Sequence, residues 1–136
     1  MYAAQVRSMT VVGRVLLTLI FLVAATGKLL DFNGTVQHLA SKGVPLPQFL
    51  LAVAIALEIG GALLVLVGFH ARLGALMLIL FLIPTTFVIH NFWAVDGNQR
   101  IVEMLQFLKN MAILGGLLLI GAYGAGPLSL DVQRRT

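Results

Sequence analysis

Four long apolar segments, separated by short polar stretches, make up most of the chain. They cover approximately residues 11–30, 49–69, 73–89 and 104–123. The hydrocarbon core of a bilayer is about 30 Å thick and is crossed by roughly 20 helical residues, with roughly 17 still sufficient. Backbone polar groups must be paired within hydrocarbon, so each segment is predicted to be a transmembrane helix. The sequence therefore predicts an all-α fold, with one transmembrane domain over residues 1–136 built as a bundle of four antiparallel helices.

The connections between these segments predict how the helices are arranged. Only residues 70–72 separate the second segment from the third, which requires an antiparallel hairpin. The first connection contains a short amphipathic piece, Thr35–Ser41, which is predicted to form a short helix. The third connection runs from His90 to about Glu103 and carries Trp93 just after an apolar segment. That placement is typical of an aromatic belt at the membrane interface.

Composition and charge support the membrane assignment. Hydrophobic residues make up 60% of the chain and charged residues 10%, whereas soluble domains average about 45–50% and about 25%. The net charge is +4, but the basic residues are scattered at helix ends, which is typical of membrane anchoring rather than nucleic-acid binding. The chain has no cysteine, which excludes disulfides, iron–sulfur ligation and c-type haem attachment. The lipid bilayer is the expected partner, and no nucleic acid is expected.

The distribution of cations predicts the orientation in the membrane. An even number of spans places both termini on one side, and that side holds more basic residues than the other. By the positive-inside rule, both termini are predicted to be cytoplasmic. The first apolar run is longer than the roughly 7–15 residues of a signal-peptide core, which favours a retained helix. The terminal side holds Arg7, Arg14, Arg72, Arg134 and Arg135, and the opposite side holds Lys28, Lys42, Arg100 and Lys109.

Glu58 is the most unusual residue of the sequence, because it lies near the middle of the second apolar segment. An acid at that depth costs about 2.5–3.5 kcal/mol on insertion scales, so it is expected to face the interior of the bundle, to be protonated or to pair with a cation. Ala52, Ala56 and Gly60 recur at four-residue spacing in the same segment and are expected to allow close helix contact. Two interpretations of Glu58 stay open: a structural hydrogen bond between helices, or a site for a proton or ligand.

One face of the first segment carries a stripe of polar and apolar residues, and its polar members would reach the bundle interior if this face points inward. Lys28 would then approach Glu58, provided that a tilted helix or a deep-lying loop compensates for their different depths. The alternative is that the cations of the stripe extend to the two interfaces, and this alternative is favoured for Arg14. The stripe consists of Arg14, Thr18, Phe21, Ala25 and Lys28.

A second set of polar residues is predicted to meet at the extracytoplasmic end of the bundle. Amides and cations above an apolar cavity suit the head group of a quinone or another amphipathic molecule. The alternative is that these residues anchor the helix ends at the interface. The set consists of Lys28, His90, Asn91, Gln106, Lys109 and Asn110.

The histidines do not predict a metal or haem site. His70 and His90 flank the same apolar segment, roughly 30 Å apart at 1.5 Å per residue, and so cannot ligate one iron. His38 lies in the first connection without a ligand spacing. The sequence contains no motif for nucleophilic catalysis, phosphate binding or zinc. The chain is therefore not expected to be an enzyme by itself, and a quinone is the one cofactor that its chemistry suits.

A similarity to a known family rests on segments spread over nearly the whole chain. They are Gly27–Lys28, Phe32–Gln37, Gly43–Pro47, Glu58, Gly68–Phe69, Arg72, His90–Trp93, Phe107–Asn110 and Gly126–Asp131. With these segments the chain resembles the DoxX family of small four-helix proteins of the bacterial inner membrane. The resemblance implies a link to quinone-dependent respiration, because the family takes its name from membrane subunits tied to quinone-linked thiosulfate oxidation. The candidate ligand-binding residues are Glu58, Lys28, His90, Asn91, Trp93, Gln106, Lys109 and Asn110.

Together with this resemblance, the residues predict a DoxX-like membrane component without a catalytic centre of its own. It would bind a quinone or another small molecule and serve membrane redox chemistry with partner proteins, with Glu58 as the proton or hydrogen-bonding group. One alternative is a proton-coupled transporter of small solutes that acts as a homo-oligomer, since four helices are few for a complete pathway. The other alternative is a purely structural partner of a larger membrane complex.

Overall fold

The computed structural model describes residues 2–133, and every regular element in this range is a helix. Four of the helices are long and apolar enough to cross a membrane, so the predicted all-α membrane fold is confirmed. Arg134 and Arg135, which entered the prediction of orientation, lie outside the described residues. In chain order the elements are α1 (Tyr2–Leu30), α2 (Phe32–Ser41), α3 (Pro47–Val67), α4 (Ala71–Ile89), the 3₁₀ helix η1 (Phe92–Ala94), α5 (Gly97–Tyr123) and α6 (Leu130–Gln133).

Two of the long helices extend well beyond the apolar segments of the sequence. α1 begins at Tyr2 instead of near residue 11, and α5 begins at Gly97 instead of near residue 104. The connection between α4 and α5 is therefore shorter than predicted. Hydropathy marks only the part of a helix that lies in hydrocarbon, whereas helical hydrogen bonding continues through polar residues outside it.

The connection between α1 and α3 folds into the short helix α2, as predicted. Asp31 caps this helix, because its carboxylate accepts the backbone N–H of Gly34 at 3.1 Å. α2 packs against α3.

The long helices pack in the order α1, α3, α4 and α5, and all four contribute to one buried apolar core. Large apolar side chains on the outer faces of the same helices are exposed. Such surfaces are suited to contact with lipid, because a chain this small and apolar cannot bury all of its apolar surface in its own core. The core residues are Phe21, Ala62, Val65, Ala75, Leu78, Phe81, Leu82 and Leu117.

Two glycines let α3 and α4 approach each other closely. A Cβ atom at Gly61 would lie 2.8 Å from the carbonyl oxygen of Gly74, and a Cβ atom at Gly74 would lie 2.8 Å from the carbonyl oxygen of Gly61. Of the predicted stripe, only Gly60 lies against α4, where a Cβ atom would be 3.0 Å from the side chain of Met77. Ala52 and Ala56 are exposed, so the expectation of close contact was wrong for these two residues.

The segment after α5 folds back onto the turn between α3 and α4. The carboxylate of Asp131 accepts the backbone N–H groups of His70 at 2.7 Å and of Ala71 at 3.0 Å. It therefore caps the start of α4 and places a negative charge at the positive end of that helix. The backbone N–H of Asp131 donates to the carbonyl of Gly68 at 2.8 Å, so this segment is attached to both helices of the hairpin.

Candidate functional site

An ion pair joins α1 to α3 within the membrane-spanning helices. The Nζ atom of Lys28 lies 2.6 Å from the Oε2 atom of Glu58. The side chain of Glu58 is 1% exposed and that of Lys28 is 22% exposed. A charged side chain at this depth is costly unless it is paired or faces the protein interior. The prediction that Glu58 faces the interior is confirmed, and its partner is the lysine that the α1 stripe suggested.

The stripe on α1 faces inward along its whole length. Its first four residues are buried and Lys28 is half-buried. Arg14 does not extend to the interface, which corrects the interpretation favoured from the sequence: it is 4% exposed, and its Nη2 atom donates to the carbonyl of Leu128 at 2.9 Å. The segment after α5 covers this end of α1, and hydropathy does not reveal such a cover.

An aromatic ring lies beside the ammonium group of the ion pair. The Nζ atom of Lys28 is 4.9 Å from the ring centroid of Phe81, a distance at which a cation is attracted to a ring face. The ring of Phe21 meets that of Phe81 edge to face, with centroids 6.3 Å apart. The ammonium group is therefore held between a carboxylate and a buried aromatic wall.

The polar residues predicted to meet at one end of the bundle do not form a single cluster. Lys28 is engaged with Glu58, as described. The Nδ1 atom of His90 lies 2.8 Å from the Oε2 atom of Glu103. The Nζ atom of Lys109 donates to the Oε1 atom of Gln106 at 2.5 Å. The three contacts are therefore separate pairs, and none of them links one pair to another.

The two asparagines of the predicted cluster also have separate partners. The Oδ1 atom of Asn91 accepts a hydrogen bond from Nζ of Lys42 at 3.1 Å. The Nδ2 atom of Asn110 donates to the hydroxyl of Thr86 at 3.0 Å, and both of these residues are buried. Asn110 therefore joins α4 to α5 inside the protein and does not lie at an open mouth.

Trp93 belongs to a group of four aromatic rings at the same end of the protein. Its ring centroid lies 5.3 Å from that of Phe92 and 6.1 Å from that of Phe107. Phe87 meets Phe107 edge to face at 5.4 Å. Trp93 and Phe87 are both exposed, so this group joins η1 to α4 and α5 and presents aromatic rings at the position of an interface belt.

A cavity of about 500 Å³ lies between α3 and α4 and is bordered by residues 42–45 of the connection after α2. We refer to it as the α3–α4 cavity. Its lining is mostly apolar and includes Leu57, Pro84 and Phe81. Phe81 therefore borders both this cavity and the ammonium group of the ion pair.

In the described part of the chain, two polar side chains line the α3–α4 cavity, and neither was selected from the sequence. Lys42 donates to the carbonyl of Ile89 at 3.3 Å as well as to Asn91. An ammonium group has three N–H donors, so one donor of Lys42 remains for a ligand. Thr85 lines the same cavity from α4. Only the fold brings these two residues together, because they lie on elements that are far apart in the chain.

Comparison with known proteins identifies the family of this chain. The family model described as DoxX matches residues 9–91. The chain belongs to the DoxX family. It is 34% identical over 120 residues to inner membrane protein YphA of Escherichia coli (strain K12), which covers 88% of this chain and 86% of YphA. It is 38% identical over 120 residues to inner membrane protein YqjF of the same organism, which covers 88% of this chain and 87% of YqjF.

A more distant similarity reaches a eukaryotic protein. The ER-derived vesicles protein ERV29 of Saccharomyces cerevisiae is 31% identical over 81 residues, which is 60% of this chain and 26% of ERV29. No solved structure matches the chain. The inner-membrane relatives and the four apolar helices together support a multi-pass protein of the inner membrane.

The part of the chain that matches the DoxX family contains the ion pair and the whole lining of the α3–α4 cavity. α5, with Lys109 and Asn110, lies outside the matched range. Within this DoxX protein, the family region therefore includes the charged residues of the ion pair, Lys28 and Glu58, and the cation of the cavity lining, Lys42.

Proposed function

We propose that this DoxX protein binds an amphipathic small molecule of the quinone class in the α3–α4 cavity and serves membrane redox chemistry as a non-catalytic component. The observation that supports the proposal is an apolar cavity of about 500 Å³ with Lys42 in its lining. Small-molecule sites in proteins are commonly clefts of about 300–1,000 Å³ with apolar walls and a few polar groups.

The lining of the cavity suits the two chemically different parts of a quinone. Apolar side chains such as Leu57 and Val88 would contact the isoprenoid chain. The remaining N–H donor of Lys42 and the hydroxyl of Thr85 are available to the carbonyl oxygens of the ring. Val53 and Leu80 line the cavity and are also exposed on the outer surface, so a lipid-soluble ligand has access from the bilayer.

In this proposal the ion pair acts through Phe81. The carboxylate of Glu58 holds the ammonium group of Lys28 at 2.6 Å, and that ammonium group lies against the ring of Phe81. The ion pair therefore positions one wall of the cavity. A partner oxidoreductase in the same membrane would carry out the electron transfer, and this chain would hold the quinone for it.

Quinone binding by the purified protein in lipid nanodiscs tests the proposal. Ala54 lines the cavity and is half-buried, so Ala54→Phe should fill part of it. Ala52 lies on the same helix but is exposed and outside the lining, so Ala52→Phe is the matched control. We expect Ala54→Phe to bind a short-chain ubiquinone or menaquinone analogue at least about fivefold more weakly than Ala52→Phe, because overpacking costs about 1–3 kcal/mol.

The head-group contact is tested separately with Lys42→Met, which keeps the length of the side chain and removes its donors. We expect this variant to bind the same analogues more weakly while its melting temperature stays close to that of the unaltered protein. Failure of the unaltered protein to bind either analogue, or equal binding by Ala54→Phe and Ala52→Phe, would contradict the proposal. Mass spectrometry of molecules retained after gentle extraction identifies the natural ligand.

A second candidate is proton-coupled transport of a small solute by an oligomer, and the Lys28–Glu58 pair favours it. Ionisable residues inside transmembrane segments commonly mark ion and solute pathways. Flux of protons and solutes into reconstituted vesicles separates the two candidates. A flux that Glu58→Gln abolishes supports transport, whereas quinone binding without flux supports the first proposal.

The proposed orientation has both termini in the cytoplasm. In a protein with four spanning helices, the start of α1 and the end of α5 lie on the same side, and Arg7 and Arg72 are among the cations there. A C-terminal fusion to a reporter that is active only in the cytoplasm should be active. The corresponding fusion to a reporter that is active only outside the cytoplasm should be inactive.

A further inference from the structure

A second cleft, of about 770 Å³, lies between α1 and α5. We refer to it as the α1–α5 cleft. Its walls are mostly apolar and include Leu17, Ile20 and Ile113. The lining residues of α5 run from Lys109 to Tyr123, which is about 21 Å at 1.5 Å per residue. One leaflet of the hydrocarbon core is about 15 Å thick, so the cleft is long enough for a lipid acyl chain.

Arg14 lines the end of the α1–α5 cleft that residues 124–126 form. Its side chain is 4% exposed. The Nη2 atom donates to the carbonyl of Leu128 at 2.9 Å, but the Nε and Nη1 atoms are buried and have no hydrogen-bond partner. Buried donors of a guanidinium group are costly to leave unpaired. The structure therefore contains a cation with unused donors at the end of an apolar cleft.

The charge of this cleft is positive. Arg14 and Lys109 are in its lining, and no Asp or Glu of the described chain is. Neither of the ion pairs within residues 2–133 includes Arg14. The ammonium group of Lys109 already donates to Gln106. Arg14 is therefore the cation of the cleft that is best placed to bind an anion.

We propose that the α1–α5 cleft binds an anionic phospholipid, with a phosphate oxygen at Arg14 and an acyl chain along α1 and α5. Phosphate oxygens match the fixed N–H groups of a guanidinium group. Basic pockets between transmembrane helices on the cytoplasmic side commonly hold anionic head groups. Because Nη1 lies close to Gly68 and the Nε atom is also buried, binding requires the guanidinium group to turn toward the cleft, where its unpaired donors meet the phosphate. The two cavities share no lining residue, so this site does not depend on the proposed quinone site.

Native mass spectrometry of the full chain, released from nanodiscs with equal amounts of phosphatidylglycerol and phosphatidylcholine, tests the lipid site. Gly13 lines the cleft beside Arg14, and a Cβ atom there would meet no atom within 4 Å. Gly13→Leu should therefore fill the cleft without disturbing the fold. Gly27 lies on the same helix outside the cleft and has equally open surroundings, so Gly27→Leu is the matched control.

We expect the unaltered protein and Gly27→Leu to retain phosphatidylglycerol roughly fivefold more than phosphatidylcholine, the preference that one engaged cation provides. Gly13→Leu and Arg14→Gln should lose this preference. If Arg14→Gln does not fold, the comparison of Gly13→Leu with Gly27→Leu still tests whether the lipid occupies the cleft.

Four results would overturn the lipid site. The first is equal retention of the two lipids by the unaltered protein, and the second is equal preference in Gly13→Leu and Gly27→Leu. The third is a dimer whose fraction changes in Gly13→Leu while lipid retention stays constant, because a second copy of the chain would then cover the cleft. Displacement of the retained lipid by inorganic phosphate alone would also contradict a site that holds the acyl chain.

Discussion

The ammonium group of Lys28 lies 2.6 Å from the carboxylate of Glu58, although Lys28 is near the end of α1 and Glu58 is near the middle of α3. Between them in the chain lies the short helix α2, which packs against α3. A single charge among membrane-spanning helices is costly, and a paired charge is less so. Each residue therefore lowers the cost of placing the other among the membrane-spanning helices, and the pair joins α1 to α3.

Removing both members of this pair should cost less stability than the sum of the two single losses. Glu58→Gln leaves a cation without its carboxylate, and Lys28→Met leaves a buried carboxylate, so each should lower the free energy of unfolding by about 3 kcal/mol. The double variant should lose less than the sum of the two single variants. Unfolding by a denaturing detergent, followed by circular dichroism, measures these values. Arg100→Gln, at an exposed position, is the control, and additive losses would contradict the prediction.

Hydropathy predicts the four spanning helices because each apolar run is long enough for the hydrocarbon core. It does not predict that α1 begins at Tyr2 or α5 at Gly97, because capping and packing determine where a helix begins outside hydrocarbon. It also does not predict that the polar segment after α5 returns to the turn between α3 and α4. That contact depends on Asp131 meeting the backbone of His70 and Ala71, which are distant in the chain.

The close approach of α3 and α4 should not tolerate a side chain at either contacting glycine. Gly61→Ala and Gly74→Ala each place a Cβ atom 2.8 Å from a backbone oxygen of the other helix. We expect each to lower the free energy of unfolding by about 1–3 kcal/mol, since backbone atoms cannot move aside cheaply. Thermal unfolding in a mild detergent measures the effect.

Gly60→Ala is the matched control for this contact. A Cβ atom at Gly60 would meet only the terminal carbon of Met77, at 3.0 Å, and that flexible side chain can move. Alanine is also favoured over glycine inside a helix, by about 0.5–1 kcal/mol. Gly60→Ala should therefore be neutral or stabilising. A loss of stability equal to that of Gly61→Ala would show that the backbone contact is not the cause.

Helical periodicity predicts which face of its own helix a site residue occupies. It does not predict contacts that depend on the register between two helices. Helical periodicity places Lys28 on one stripe of α1, so its approach to Glu58 was one of the two alternatives that the sequence left open. Periodicity does not say which level of α4 faces a given level of α5. Asn110 therefore meets Thr86 inside the protein, while Lys109 lines a different cavity.

Loss of the Asp131 carboxylate should loosen the first turn of α4. Asp131→Ala removes the acceptor for the backbone N–H groups of His70 and Ala71, and loss of such a cap costs about 1 kcal/mol. We expect amide hydrogen exchange of these two N–H groups to become roughly fivefold faster. Asp96→Ala is the control, because Asp96 precedes α5 without a side-chain capping hydrogen bond. Equal changes at the start of α4 in both variants would contradict the cap.

The buried hydrogen bond between Asn110 and Thr86 should contribute a measurable coupling between α4 and α5. The amide of Asn110 donates to the Thr86 hydroxyl at 3.0 Å, and that hydroxyl donates to the carbonyl of Leu82 at 2.6 Å. Hydrogen bonds between transmembrane helices average about 0.6 kcal/mol in double-mutant cycles and reach about 1.7 kcal/mol. A cycle with Asn110→Ala and Thr86→Val should give a coupling in this range, because both partners are buried.

Thr26→Val separates this coupling from the effect of losing a threonine hydroxyl in a helix. Thr26 is exposed and donates to the carbonyl of Leu22 at 2.8 Å, the same local bond that Thr86 makes. A cycle that pairs Thr26→Val with Asn110→Ala should therefore show no coupling. If that cycle gave the same energy as the one with Thr86→Val, the contact between the helices would contribute nothing of its own. A coupling confined to Thr86 would instead assign to Asn110 a role in holding α5 against α4.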